Sequence, residues 1–364
     1  MARFFNVAGA CNPADHYMLP PETRLPGIRT LIDEKSYFVI HAPRQTGKTT
    51  AFHALAAALT AEGRFAAALS SCKVASTAGD DVERGVRAVI QAIDHDARQQ
   101  LPEDLAPGVA SEVDGIGAEM RLKRYLAAWC ERCPRPVVLF LDEIDALTGQ
   151  SLLSVLSQLH AAYVSRPAGF PQALALIGLR DVRRCERELG TSSPFNVTTV
   201  SLLLRHFTAV EVAELYSQHT GATGQLFTPE SVSLIFELTQ GQPWLVNALA
   251  DRIVRGEAPD PATVIRTEHG LAAKEALIVR DDTHLDWLIG RLREPRVRRV
   301  VAPILAGELP REAVPDDDLQ FVKDLGLVRR GPTGLMIANP IYKEVAPRAL
   351  ASVIEGYLPV DLHS

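Results

Sequence analysis

A chain of 364 residues is long enough for two or three compact units, because domains average about 150 residues. Hydrophobic residues make up 47% of the sequence and charged residues 23%, a globular composition that excludes extensive disorder. The formal net charge of −6 argues against a protein that coats nucleic acid by bulk charge, although a local basic patch stays compatible with it.

The sequence carries no pattern typical of secretion or of a membrane span. The longest charge-free stretch, residues 146–165, contains four serines and a histidine, which is typical of an amphipathic helix in a soluble protein. The N-terminal residues lack an apolar core of signal-peptide length. Among five cysteines only Cys130 and Cys133 have metal-like or redox-like spacing, and no second pair completes a zinc site. We therefore expect reduced thiols, a cytoplasmic location and no membrane contact.

The first 200 residues alternate between apolar runs and helical stretches. The run at residues 136–141 has no polar alternation, which is typical of a strand buried on both faces of a parallel sheet. Strands are predicted at residues 36–40, 65–69, 136–141 and 173–178, and helices at 51–63, 81–98, 119–129 and 146–165. Strands separated by helices predict an α/β fold with a parallel sheet.

Capped helices replace the strands from about Leu203 onward. Thr208 and Glu211 form a capping box that starts one helix, Thr228 caps a second, and Pro243 starts a third. These signals predict a small helical domain, which the resemblance below identifies with a lid.

The last 75 or so residues follow a different pattern. Helices are predicted at residues 297–305 and 316–325, followed by a short hairpin and a last helix capped by Asn339. Helices followed by a hairpin are typical of a winged helix. We therefore expect three domains: an α/β core at residues 1–202, a helical lid domain at 203–285 and a winged-helix domain at 286–364.

The segment between the first strand and the first helix predicts a phosphate-binding loop. Gly47, Lys48 and Thr49 match the second half of the Walker A pattern, in which loop amides hold phosphates, the lysine contacts the outer phosphates and the hydroxyl binds Mg²⁺. Ala42 replaces the first glycine, which matters only if that position needs a positive φ. The expected nucleotide contacts are Ala42, Pro43, Arg44, Gln45, Thr46, Gly47, Lys48, Thr49 and Thr50.

Two acidic residues follow the buried strand at 136–141, in the Walker B position. Ligands of open α/β sheets bind at the carboxyl ends of the strands, so we expect Asp142 to hold Mg²⁺ together with Thr49. Glu143 is then the expected general base that polarises the attacking water. The alternative is an acidic helix N-cap stabilised by the helix dipole, which would explain one carboxylate but not the Walker A match.

Arginines follow the next predicted strand. Arg180 ends that strand and is the candidate sensor of the γ-phosphate or of the attacking water, with an ordinary surface arginine as the alternative. Arg183, Arg184 and Arg187 are candidates for an arginine finger presented to a neighbouring subunit.

Together these motifs resemble those of P-loop ATPases of the AAA+/STAND class, in particular the archaeal-type or AAA-like branch. The resemblance covers nearly the whole chain and rests on the segments APRQTGKTT, VVLFLDEID, IGLR and LTQGQPWLVNAL. It implies a P-loop NTPase sheet core, ATP as the nucleotide, and a Gly-x-Pro element that brings Gly241 and Pro243 into the nucleotide pocket. It also implies a switch in which ATP clamps the lid and winged helix onto the core.

A cluster of arginines lies in the predicted winged helix. Residues 291–300 contain five arginines and one glutamate, a distribution that would neutralise DNA phosphates. However, three aspartates at residues 316–318 stand where the second helix would contact bases. This pattern favours a protein-facing or intramolecular module over base-specific DNA reading.

Three functions are compatible with the sequence. The leading hypothesis is an ATP-hydrolysing switch or remodelling ATPase that acts as a homo-oligomer or with a protein partner or effector in trans, for example in defence or signalling. An effector in trans is expected because none is visible before Ser364. The alternatives are an ATP-controlled DNA-binding initiator or regulator, and a nucleotide-loaded scaffold with negligible turnover.

Overall fold

The computed structural model describes residues 3–161, 163, 169–179, 200–279, 289–308, 314–332 and 334–355. Contacts between Cα atoms divide the chain into two units. The sheet unit comprises Pro20–Ala42 and Lys48–Arg205, and the helical unit comprises Met1–Leu19, Pro43–Gly47 and His206–Ser364. None of the helices in these described ranges combines the length and apolar character needed to cross a bilayer.

The sheet unit contains five parallel strands, which confirms the predicted α/β fold. The strands are β1 (Tyr37–His41), β2 (Ala66–Ser71), β3 (Val137–Asp142), β4 (Ala173–Gly178) and β5 (Val200–Leu203). Their order in the sheet is β2-β3-β4-β1-β5. The helices are α1 (Ile28–Asp33), α2 (Lys48–Ala61), α3 (Val82–Gln100), α4 (Ala118–Arg132) and α5 (Gly149–Ala161). Strand β5 was not predicted, because its four residues are partly exposed and form no continuous buried run.

Helices cover both faces of the sheet, so its strands need no polar alternation. Alternate residues of one strand point to opposite faces. Leu139 packs in the core that includes residues of α3, α4 and α5, whereas Phe140 packs in the core that includes residues of α1 and α2. Both side chains are fully buried. Because all strands run parallel, the residues that end them lie at one edge of the sheet, where Ser71 is in register with Asp142.

Side chains complete the hydrogen bonds of strand β2 at the edge of the described sheet. Gln100 accepts from Leu69 N (3.0 Å) and donates to Leu69 O (2.6 Å), while Thr60 Oγ1 accepts from Ala67 N (3.0 Å) and donates to Ala67 O (3.3 Å). The side chains therefore bind backbone groups that a further strand would otherwise pair with.

The helical unit contains seven described helices and a two-stranded antiparallel hairpin. The elements are α6 (Ala209–Thr223), α7 (Pro229–Thr239), α8 (Pro243–Arg252), α9 (Thr267–Val279), α10 (Pro295–Leu305), α11 (Asp316–Asp324), β6 (Val328–Gly331), β7 (Gly334–Ile337) and α12 (Pro340–Glu355). The predicted capping box is confirmed, because Thr208 and Glu211 exchange both hydrogen bonds. Lys274 of α9 donates to Glu344 of α12 at 2.7 Å.

An aromatic core fixes the N-terminal segment to the helical unit. Phe5 and Tyr17 pack against each other with ring centroids 4.8 Å apart, and Phe5 also contacts Tyr216 of α6. Tyr17 is 2% exposed, so it is part of this core. The division into core, lid and winged-helix domains stays a prediction.

We predict that Gln100→Met lowers the free energy of unfolding by about 2 kcal/mol, because it removes both hydrogen bonds to Leu69 as well as the one to Asp96 O, and leaves buried backbone groups of Leu69 unpaired. Urea denaturation followed by circular dichroism measures this change. The matched control is Gln99→Met at the exposed neighbouring position, which should stay close to the wild type. Equal stability of the two variants would show that Gln100 does not support the edge of the sheet.

Candidate functional site

The loop between β1 and α2 has the backbone geometry of an open turn that can surround an anion. Gln45 (φ 58°) and Gly47 (φ 78°) adopt left-handed conformations. Ala42 is not among the described residues with positive φ, so the alanine at the first glycine position of the Walker A pattern introduces no strain. Its amide donates to Gly178 O of β4 at 3.3 Å, which fixes the start of the loop to the sheet.

Lys48, the first residue of α2, lies over the base of this loop. Its Nζ atom donates to Ala42 O at 2.7 Å. Inside the loop, Thr46 Oγ1 donates to Pro43 O at 2.9 Å, which stabilises the turn. Arg44 and Thr50 are partly or fully exposed at either end of this segment. The loop leads along the chain directly into the N-terminus of α2, where backbone N–H groups favour negative charge.

The Walker A and Walker B residues meet at the edge of the sheet. Thr49 Oγ1 donates to Asp142 Oδ2 at 2.7 Å, and the amide of Glu143 donates to Asp142 Oδ1 at 2.8 Å. Asp142 is 3% exposed, and burial raises the pKa of its carboxyl group while the hydrogen bond from Thr49 opposes that shift.

A hydroxyl and a buried carboxylate in contact are oxygen donors of the kind Mg²⁺ prefers. Burial disfavours the charged form of Asp142, and a cation bound beside it would favour that form. Thr49 and Asp142 therefore fit a magnesium site. In the described part of the chain, no cluster of three or more histidine, cysteine or acidic residues forms a separate metal site.

Glu143 is held in a strained backbone conformation beside Asp142. Its φ of 52° is left-handed, which is unfavourable for a residue with a Cβ. Its Oε2 atom accepts from Ser71 Oγ at 2.7 Å, and Lys73 Nζ lies 3.9 Å from its Oε1 atom. The short helix Ile144–Ala146 begins next, yet within the described structure the Glu143 side chain makes no capping hydrogen bond to it. Glu143 thus occupies the N-cap position of this helix without capping it through its side chain, which is 43% exposed.

Ser71 and Asp145 are site residues that the sequence analysis missed. Ser71 ends the neighbouring strand β2, and Asp145 Oδ2 accepts from the amide of Leu179 directly after β4 at 3.2 Å. The available signal was their position, because polar residues at the carboxyl ends of parallel strands gather at one edge. Arg180 and the finger candidates Arg183, Arg184 and Arg187 lie outside the described residues.

The Gly-x-Pro element forms the turn between α7 and α8 in the helical unit. Gly241 has a φ of 69°, and a Cβ there would collide with the backbone of Phe207. Pro243 is buried at the first position of α8. The middle residue, Gln242, caps α8 and donates from Nε2 to Gln45 O at 3.5 Å, a contact that the sequence analysis did not foresee.

Three of the five clustered arginines interact inside the helical unit. Arg291 pairs with Glu294, Arg296 lies 3.1 Å from the ring centroid of Phe321, and Arg299 donates to Asp318 at 3.0 Å. Asp318, one of the three aspartates that argued against base reading, therefore binds one of the arginines itself. These contacts support the intramolecular interpretation of the cluster.

The thiols of the Cys130 and Cys133 pair are free. Burial raises the pKa of both, which disfavours the reactive thiolate form. This supports the interpretation of Cys130 and Cys133 as reduced thiols without a metal or redox role.

We predict that Glu143→Gly is more stable than Glu143→Ala by about 1 kcal/mol, because both variants lose the side-chain contacts but only alanine keeps a Cβ in the left-handed conformation. Chemical denaturation of the nucleotide-free protein measures the difference. An order of stability with alanine above glycine, as in an ordinary helix, would contradict the strained backbone at this position.

Comparisons with known proteins agree with this fold. Residues 15–343 match the family model described as an AAA-like domain. No sequence among the curated proteins matches the chain. The Walker-type ATPase of Pyrococcus abyssi superposes with a TM-score of 0.68 at 14% identity, covering 94% of this chain and 99% of that chain, which shows a shared fold.

Two further structures are similar at lower TM-scores. The Aeropyrum pernix Orc1 protein in complex with DNA gives 0.49 at 17% identity, covering 94% of this chain and 95% of that chain. The RuvB Holliday junction branch migration motor of Thermotoga maritima gives 0.46 at 17% identity, covering 89% and 92%. With the family model spanning most of its length and a Walker A loop hydrogen bonded to a Walker B carboxylate, this chain belongs to the AAA-like family of P-loop ATPases.

Proposed function

We propose that this protein binds ATP with Mg²⁺ at the β1–α2 loop and hydrolyses it, acting as a switch or remodelling ATPase on a partner or effector in trans. The observation that carries the proposal is the 2.7 Å hydrogen bond between Thr49 and Asp142. It joins the two motifs that P-loop ATPases use to hold a nucleotide-bound cation. A Gly-Lys-Thr sequence that began a helix by chance would not have a buried carboxylate against its hydroxyl.

Different residues of the proposed site bind the phosphates and the magnesium ion. The backbone of residues 42–47 and the N-terminus of α2 favour the phosphate charge, and Lys48 exchanges its bond to Ala42 O for the outer phosphates. Thr49 and Asp142 hold Mg²⁺, which neutralises phosphate charge when it is bound. The remaining proposed nucleotide contacts are Pro43, Arg44, Gln45, Thr46, Gly47, Thr50, Gly241 and Pro243.

Glu143 acts on water in this proposal. Its carboxylate is partly exposed beyond the end of β3, and it takes the proton of a water molecule as that water attacks the terminal phosphate of ATP and the bond to the bridging oxygen breaks, releasing ADP and phosphate. Ser71 orients the carboxylate through the 2.7 Å hydrogen bond to Oε2. The strain at Glu143 supports a functional role, because a left-handed glutamate lowers stability unless the surrounding structure holds it. Arg180 is proposed as the sensor on its position in the sequence alone.

The assignment of the helical unit to a lid domain and a winged helix is proposed from the order of its helices and strands along the chain. Helices α6–α9 correspond to a lid domain, and α10, α11, the β6–β7 hairpin and α12 correspond to a winged helix of the STAND class. The proposed domains stay at residues 1–202, 203–285 and 286–364. The partner is a protein or a second copy of the chain, and the proposed location is the cytoplasm.

DNA binding is not proposed, because Arg296 and Arg299 already contact Phe321 and Asp318. Replacing them would disturb the fold as well as any DNA contact. A scaffold with negligible turnover remains an outcome of the experiment that follows.

We predict that Lys48→Ala weakens ATP binding by about 10- to 100-fold, the loss expected for a charged hydrogen-bond donor. Glu143→Gln should keep ATP binding and slow turnover by about 100-fold or more, because the general base is lost. Fluorescence titration with labelled ATP and phosphate release in Mg²⁺ measure the two effects. Lys343→Ala, at an exposed position on α12, is the control for loss of a positive charge.

Measuring the size of the protein in solution with and without ATP and Mg²⁺ tests the switch. Glu143→Gln should remain in the ATP-dependent assembly. Failure of the wild type to bind ATP would overturn the proposal. Binding without turnover in the wild type, and no effect of Glu143→Gln on assembly, would identify a scaffold instead. Chelation of Mg²⁺ should abolish turnover in the wild type.

A further inference from the structure

One buried amide joins the β1–α2 loop to the start of helix α8. Loop residues Pro43–Gly47 belong to the helical unit by their contacts. Gln242, 3% exposed in the same unit, uses both ends of its side-chain amide. Its Oε1 atom accepts from Leu245 N at 2.6 Å, which caps α8, and its Nε2 atom donates to Gln45 O at 3.5 Å.

We propose that Gln242 is a positioning residue that couples the conformation of the loop to the order of the first turn of α8. The inference rests on the proposed nucleotide site, because it takes ATP to be the ligand that rearranges the loop. It goes beyond that proposal by assigning a role to the side chain between Gly241 and Pro243.

The backbone around Gln242 is fixed on both sides. Gln240 and Gly241 adopt consecutive left-handed conformations, with φ of 50° and 69°. Phe207 N donates to Gly241 O at 2.9 Å, and a Cβ at Gly241 would collide with Phe207. Pro243 locks the next φ as the first residue of the helix. These constraints hold the backbone of Gln242 in place. When the loop moves, the Gln242 side chain therefore changes conformation rather than its backbone.

The loop end of the contact is the adjustable one. Gln45 has a left-handed φ of 58°, which is strained for a residue with a Cβ. The 3.5 Å separation is at the long limit of a hydrogen bond, so a small movement of Gln45 O either completes or breaks it.

A broken contact has a consequence for α8. The amide hydrogens of Gln242 would then be buried without this acceptor, and a side chain that turns to find another one withdraws Oε1 from Leu245 N. Because the first N–H groups of a helix have no partner inside it, the first turn of α8 then opens more readily.

Gln242→Glu distinguishes the hydrogen bond that caps α8 from the hydrogen bond to Gln45 O. Glutamate keeps an oxygen to accept from Leu245 N, and a negative charge is favourable at a helix N-terminus. It replaces the donor that faces Gln45 O with a second acceptor. The expected result is an intact cap and a lost connection to the loop.

Gln225→Glu is the matched control. Gln225 is also 3% exposed in the helical unit, and its Nε2 atom donates to Ala258 O at 2.8 Å and to Asp260 O at 3.1 Å. The same substitution at the same degree of burial removes these donors without a contact to the loop.

Hydrogen exchange of the full chain, with and without a non-hydrolysable ATP analogue and Mg²⁺, tests the inference at the amides of residues 245–249. We expect ATP to change their exchange rate by about fivefold in the wild type, the effect of one hydrogen bond. The change should persist in Gln225→Glu and vanish in Gln242→Glu. A titration of each protein with the analogue shows which samples are loaded, and a thermal melt shows which are folded.

The outcomes separate this inference from the proposed function. A wild type that binds the analogue without any change at α8 overturns the role of Gln242 alone, and this arm needs no variant to fold. An equal change in wild type and folded Gln242→Glu does the same. A wild type that binds no analogue overturns both the proposed function and the role of Gln242.

Discussion

The contact between the Thr49 hydroxyl and the Asp142 carboxylate is the constraint around which the sheet unit is arranged. The two residues are far apart in the sequence. Asp142 ends β3, whereas Thr49 lies in the first turn of α2, which follows β1 and its loop, and β1 and β3 end at the same edge of the parallel sheet. The contact places a negative charge in a buried position, where desolvation raises the pKa of Asp142. The hydrogen bond from Thr49 opposes that shift, and Mg²⁺ bound in the proposed site would stabilise the carboxylate further.

Packing on both faces of the sheet fixes the positions of the strand ends. Helices pack on both faces, so the strands are apolar throughout and their ends cannot shift without displacing a close-packed core. Side chains of α2 and α3 complete the backbone hydrogen bonds of β2, the strand that delivers Ser71. Asp96 of α3 also accepts from Ser70 Oγ at 2.8 Å, beside Ser71. The orientation of Glu143 thus depends on interactions that begin at the surface helix α3.

Two of the four described non-glycine residues with positive φ lie where the chemistry is proposed, and the other two are Lys35 and Gln240. Glu143 and Gln45 are left-handed residues with a Cβ, one beside the Walker B aspartate and one in the phosphate loop. Gln240 and Gly241 repeat this conformation at the turn that precedes α8. Such backbones persist only when neighbouring contacts hold them. Ser71 contacts the Glu143 carboxylate and Gln242 contacts the Gln45 carbonyl, so a ligand that changes either contact can shift the local structure.

The sequence by itself determined the α/β class, the strand that ends at Asp142 and the loop that contains Lys48, because buried strands and phosphate loops depend on local composition and spacing. It also determined the caps of the C-terminal helices, which need only residues three apart. Only the tertiary structure decided that Ser71 binds Glu143 and that Gln242 reaches Gln45. It also decided that β5 joins the sheet. Those contacts depend on which distant segments pack together, and neither periodicity nor spacing within a segment records that choice.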